Sequence, residues 1–274
     1  MLESFLVVLE DNSEALIPYA ISAAKALNAH PTVAWPRRDA SGREDGSIEA
    51  RLETAAGAGP ARKARAREDL QAFAAAAKAA GIEAEILEPD IWQDPPRDVV
   101  PRFARTFDFT MVQQRQAGRP PGRDDLTAAL LAESGRPVLV VPAIHREAAQ
   151  FKRVLVAWDG GAAAARAFSE AKPILAQAAH VDIVTVTSSQ SSRAVSQGGQ
   201  RLAERLQRAK IAAQFRTLPS EDDPANALLS YAADTSADVM VCGGYSHSRM
   251  RESLFGGATR TMLTSMTLPT LFAR

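Results

Sequence analysis

Two glycine clusters flank a polar loop late in the sequence: Gly243-Gly244-Tyr245-Ser246-His247-Ser248-Arg249, then Gly256-Gly257-Ala258-Thr259. Before them, Ala237 to Cys242 reads as an apolar strand; after them, Thr259 to Ser265 reads as a helix and Leu268 to Phe272 as a closing strand. Such a layout can hold an anion. Glycine removes the side chain that keeps backbone N–H groups away from a ligand, and a helix start offers unpaired N–H groups and a positive dipole end. His247, Arg249 and Arg251 in the loop could neutralise phosphates, His247 as a cation or a neutral donor. A structural turn with a helix cap and a solvated charge run would use the same letters, and glycine spacing alone does not separate the two.

Other reactive constellations are thin. The four histidines, His30, His145, His180 and His247, fall in separate segments without metal-ligand spacing. Ser246 and Ser248 beside His247 do not make a nucleophile with an oriented base. No lysine follows the glycines as in a P-loop. Glu221-Asp222-Asp223 could meet a cation, although helix capping accounts for at least one of them. Cys242 reads as a small buried residue at a strand end.

Composition narrows the class. A chain of 274 residues, 46% apolar, is long enough for one large domain or two ordinary ones. Lys+Arg and Asp+Glu balance at 32 each, and aromatic residues make up 6%, so neither a global field nor stacking residues favour nucleic acid. A single cysteine fits a reducing compartment. No leader pattern opens the sequence, and no apolar run reaches membrane-spanning length. The expectation is a cytoplasmic protein without membrane or nucleic-acid partners.

The elements that must position the loop occur twice. Phe5 to Asp11 and Val154 to Gly160 are apolar runs ending in acid, with Glu10 opposite Asp159, and each precedes an alanine-rich helical stretch, Ser13 to Asn28 or Ala162 to Ala179. Second strands follow at Thr32 to Trp35 and Val181 to Val186. Asp94-Pro95 and Asp223-Pro224 read as helix starts, with acid at the cap and proline first in the helix. Asp108 to Val112 matches Asp238 to Cys242, and Arg136 to Val141 matches Leu268 to Phe272. The offset falls from 149 at Glu10/Asp159 to 132 at Pro137/Pro269, and most of the difference lies between Arg37 and Arg67. Alternating strands and helices predict a mostly parallel sheet covered on both faces.

The spacing of Gly243, Ser246, Gly256 and Gly257 resembles the nucleotide-binding signature of the universal stress protein family, with serine for its second glycine and glycine for its last hydroxyl residue. The duplicated pattern extends the resemblance over the chain. It implies two tandem α/β units, at 1–145 and 152–274, each an open five-stranded Rossmann-like sheet of the adenine-nucleotide α-hydrolase kind. Their last strands, Val138–Val141 and Thr270–Phe272, would meet near a pseudo-twofold axis, each unit keeping its own sheet. The implied ligand is ATP or a related adenine nucleotide, with or without Mg. Its phosphates would lie on Gly243, Gly244, Ser246, Gly256, Gly257, Ala258 and Thr259, with His247 and Arg249 nearby. The nucleoside would face Asp159, Gly160 and Val186. Helix capping is an equal alternative for Asp159, and Gly160-Gly161 lacks the hydroxyl often found after the acid.

In the first unit Asp124-Asp125 stands where Gly256-Gly257 does, and Gln113-Gln114 where Gly243-Gly244 does. Aspartates there would take the helix donors as caps and repel phosphate, so the first unit reads as a degenerate copy. The resemblance implies a stress-linked, nucleotide-responsive regulatory protein rather than an enzyme. A non-nucleotide-binding interaction or scaffold protein is the alternative, ahead of a nucleotidyltransferase or phosphatase-like hydrolase. Two units in one chain form an intramolecular pseudo-dimer, leaving a monomer or a further homodimer open.

Overall fold

The computed structural model describes residues 2–11, 13–36, 58–87, 95–115, 125–187, 193–220, 223–244 and 257–274. In the first half the order is β1 (Ser4–Val8), α1 (Leu16–Leu27), β2 (His30–Ala34), α2 (Ala58–Ala79), β3 (Glu85–Ile86), α3 (Pro96–Ala104), β4 (Phe109–Gln113), α4 (Leu126–Glu133) and β5 (Val138–Val141). The second half repeats it as β6 (Arg153–Ala157), α5 (Ala162–Glu170), α6 (Lys172–Leu175), β7 (His180–Thr187), α7 (Arg193–Arg208), β8 (Ala213–Pro219), α8 (Pro224–Asp234), β9 (Val239–Gly243), α9 (Gly257–Ser265) and β10 (Thr270–Ala273).

Strands such as β1 (SFLVV) and β6 (RVLVA) are nearly continuous apolar runs because both faces are covered. Val154, Val156, Val239 and Val241 point into one core layer with α1, α2, α5 and α7, while Leu155, Ala157 and Met240 point into the other with α3, α4, α8 and α9. The result is a three-layer α/β/α molecule.

The expectation of two separate sheets is corrected. All ten strands form one sheet in the order β3-β2-β1-β4-β5-β10-β9-β6-β7-β8. Every pairing is parallel except β5 with β10, which run antiparallel with Thr270 opposite Val140, Leu271 opposite Leu139 and Phe272 opposite Val138. The repeat offset that relates Pro137 to Pro269 also relates Leu139 to Leu271, so this equivalent pair faces itself at the centre of the join. Two fully buried strand edges would leave unpaired N–H and C=O groups, and pairing them removes that cost.

The repeat carries over to single hydrogen bonds. Asp108 Oδ2 accepts the N–H groups of Glu3 (2.7 Å) and Ser4 (3.1 Å), and Asp238 Oδ2 accepts those of Lys152 (2.8 Å) and Arg153 (2.7 Å). The two proline helix starts differ. Asp223 caps α8, taking Ala225 N–H at 2.9 Å, with Pro224 first in the helix. In α3 the cap position is Pro95 itself and Pro96 begins the helix, while Asp94 lies outside the described residues. The alanine-rich stretch after β6 is not one helix but α5 and α6, broken at Ala171. No helix among the described residues is long and apolar enough to cross a membrane.

Candidate functional site

In each half strand order reverses between the first and fourth strands, and a crevice opens there at the carboxyl ends of an α/β sheet. In the second half those strands are β6 and β9, paired through Val154–Val239, Leu155–Met240 and Val156–Val241. The chain leaves β6 through Asp159 and leaves β9 through Gly243-Gly244, so the fold brings these two sequence candidates to one place. Val186 is near the carboxyl end of the next strand, β7, half-buried and opposite Leu218 of β8.

Asp159 is exposed and its Oδ1 accepts the Gly161 N–H at 2.7 Å. Gly161 is the cap residue of α5, so Asp159 shapes the turn into the helix from two residues before it. Gly160 makes that turn in the left-handed region, at φ +77°, where a side chain is strained.

Gly243 has a packing role that its sequence context does not reveal. A Cβ there would lie 2.5 Å from Ala164 N and 2.8 Å from the Ala163 carbonyl carbon, both backbone atoms of α5. The first turn of α5 thus rests directly on the strand exit, and this glycine is required whether or not a ligand binds. Gly244 donates to Ala273 O at 2.7 Å, and the nearest atom to a Cβ there would be 3.7 Å away. Burial pushes the neighbouring Cys242 thiol up to about 12, with the Asp159 carboxylate adding to the shift. The group is a protonated thiol at neutral pH, although Cys242 is half-buried rather than fully buried as its place at a strand end suggested.

α9 begins at Gly257, two residues ahead of its expected start. Gly257 and Ala258 are exposed, no acidic residue stands in the first turn, and among the described residues a Cβ at Gly257 would meet nothing within 4 Å. Thr259 is buried, which makes it a packing residue of the first turn. Asp223, besides capping α8, accepts the Thr261 hydroxyl at 2.6 Å and so ties α8 to α9. Ser246, His247, Arg249 and Gly256 lie outside the described residues.

The first half fills the equivalent positions with its own side chains. Asp125 caps α4, its Oδ1 accepting Thr127 N–H (2.9 Å) and Ala128 N–H (3.3 Å), and Arg115 Nη1 is 3.8 Å from its other oxygen. Gln113, the counterpart of Gly243, turns its Oε1 onto Ala15 N–H (3.1 Å) and Leu16 N–H (3.2 Å) at the start of α1. Above β1 and β2 the Arg62 guanidinium stacks on Trp35, 4.3 Å from the ring centroid, with its Nε 3.4 Å from Asp11. The Asp125 cap was legible in the sequence. The Gln113 cap and the Arg62–Trp35 stack were not, because each depends on a partner far along the chain.

Among the described residues no group of three or more His, Cys, Asp or Glu side chains is placed to hold a metal ion.

Residues 150–274 match the model of the universal stress protein family. Three solved structures resemble nearly the whole chain. A universal stress protein from Archaeoglobus fulgidus DSM 4304 is 18% identical, with a TM-score of 0.74 over 99% of this chain and 96% of that one. A putative universal stress protein from Pseudomonas aeruginosa UCBPP-PA14 is 19% identical, with a TM-score of 0.59 over 99% and 93%. A functionally unknown protein from Pseudomonas aeruginosa PAO1 is 19% identical, with a TM-score of 0.60 over 99% and 92%. At these identities the likeness shows the fold. A search of curated protein sequences found no match.

Proposed function

We propose that residues 150–274, which match the universal stress protein family model, are one of two such domains in tandem, 1–145 and 152–274, and that the second binds an adenine nucleotide in a regulatory role. ATP or a relative is the ligand, with or without Mg. The first domain is a structural copy that binds none, and the protein acts by binding rather than by turnover. One contrast carries this reading: α9 starts exposed and without acid at the switch point, whereas α4 is sealed by Asp125. Phosphates would lie against Gly243, Gly244, Ser246 and the segment from Gly256 to Thr259, with His247 and Arg249 beside them. The nucleoside would lie toward Asp159, Gly160 and Val186.

Nucleotide released by denaturing the purified protein, identified by mass, tests the reading directly. Calorimetry with Gly257→Asp sharpens it. The new side chain enters open space, and acid at a helix start stabilises the helix, so the fold should persist. Losing charge-assisted hydrogen bonds at about 1.5–3 kcal/mol each weakens ATP binding at least about tenfold. A folded Gly257→Asp protein with wild-type affinity would put the ligand elsewhere. The alternative, an interaction protein of the same fold without nucleotide, draws support from Gly243, whose conformation α5 packing already explains.

A further inference from the structure

Gln114 links the first half to the helix whose start is proposed to meet the phosphates. It follows β4, corresponds to Gly244 in the repeat, and is 5% exposed. Its Nε2 donates to the carbonyl of Leu263 in the last turn of α9 at 2.9 Å, and its Oε1 accepts the Ala143 N–H at 3.4 Å. Its own N–H donates to Val141 O at 2.7 Å, which fixes the residue to the strand that joins the two halves. Leu263 is one of the last four residues of α9, whose carbonyls have no partner within the helix. A carboxamide is suited to this place, since one group donates to the helix end while the other accepts from the chain after β5.

The link runs one way. Gly244 has no side chain to return the contact to Leu131, the counterpart of Leu263. α4 is held at its start by its own Asp125 and at its end by Arg105, whose Nη2 donates to Glu133 O at 3.0 Å, whereas α9 is held by Thr261 on Asp223 and at its end by Gln114 of the other half. We infer that Gln114 is a positioning residue for nucleotide binding, holding the C-terminal end of α9 and with it the placement of the helix whose first turn is proposed to meet the phosphates. The inference rests on the nucleotide reading above and adds that the second domain's site depends on the first domain.

The test compares full-length wild type, Gln114→Leu and Ser22→Ala. Ser22 accepts the Ala149 N–H at 2.7 Å, so its loss removes one tie between α1 and the connection, far along the chain from α9. Amide hydrogen exchange of residues 257–265 is read without nucleotide, and ATP affinity by calorimetry. Gln114→Leu should speed exchange in α9 and weaken ATP binding about three- to tenfold, the range of one ordinary hydrogen bond. Ser22→Ala should leave both unchanged. Unchanged α9 exchange in Gln114→Leu overturns the inference whether or not ATP binds, and so does an altered stability with unchanged affinity. A wild type that binds no ATP overturns the nucleotide reading and, with it, this role for Gln114. Should Gln114→Leu not fold, Gln114→Met keeps the length, removes the donor and predicts the same two changes.

Discussion

Replacing Gly243 by alanine adds one methyl group at the point where α5 touches β9. The new carbon would sit 2.5 Å from Ala164 N, against an ordinary contact of 3.4 Å or more, so the first turn of α5 must retreat by about 0.9 Å. The obstacle is helix backbone rather than a side chain that can rotate away. Ala163, Ala164, Ala167 and Phe168 on the same helix are all buried, so a retreat also opens the packing behind them. Overpacking of this kind costs about 1–3 kcal/mol, and a rigid neighbour places the expected loss near the upper end. For a chain of this size that lowers Tm by roughly 2–5 °C. Gly244→Ala, whose nearest neighbour would be 3.7 Å away, should be close to neutral, and Gly257→Ala neutral or slightly stabilising in the helix. Urea and thermal unfolding followed by circular dichroism read all three. Equal stability of Gly243→Ala and Gly244→Ala would refute the packing argument and return Gly243 to a role in ligand approach alone.

Asp125→Ala removes a buried cap with two hydrogen bonds and leaves Arg115 without its partner, so it should lose about 1–2 kcal/mol by urea unfolding. It should not create nucleotide binding in the first half, because Gln113 still takes the N–H groups at the start of α1; calorimetry checks this. Cys242, half-buried and with its thiol raised to about 12, should react slowly with thiol reagents at pH 8 in the native protein and readily once urea unfolds it; fast native labelling would contradict the raised pKa. Burial lowers the pKa of His145 from 6.5, so the unfolded chain binds that proton more readily than the native one. Its contribution to stability is present above pH 6.5 and is lost as pH falls from there toward the depressed native value. The urea midpoint of wild type should therefore drop more between pH 7.5 and 5.5 than that of His145→Asn.

The duplicated order of strands and helices was legible because it is local. Apolar runs such as Val154 to Ala157 and capped starts such as Asp223-Pro224 are set by neighbours within a few residues. The Asp108/Asp238 correspondence was visible for the same reason, and so was the contrast of Asp125 with Gly257, because the acid caps its own helix. What lay beyond the letters depends on groups that meet only after folding. Whether β5 and β10 pair into one sheet follows from two edges that would otherwise be buried unsatisfied. Whether Gly243 serves a ligand or a helix turns on where α5 comes to rest, 79 residues earlier in the chain at Ala164. Gln114 and Leu263 are 149 residues apart, and nothing near either one predicts the other. Periodicity and capping record which backbone hydrogen bonds a segment can satisfy by itself. The remaining donors and acceptors find partners only when the layers close, and in this protein the roles of Gln113, Gln114 and Gly243 arise there.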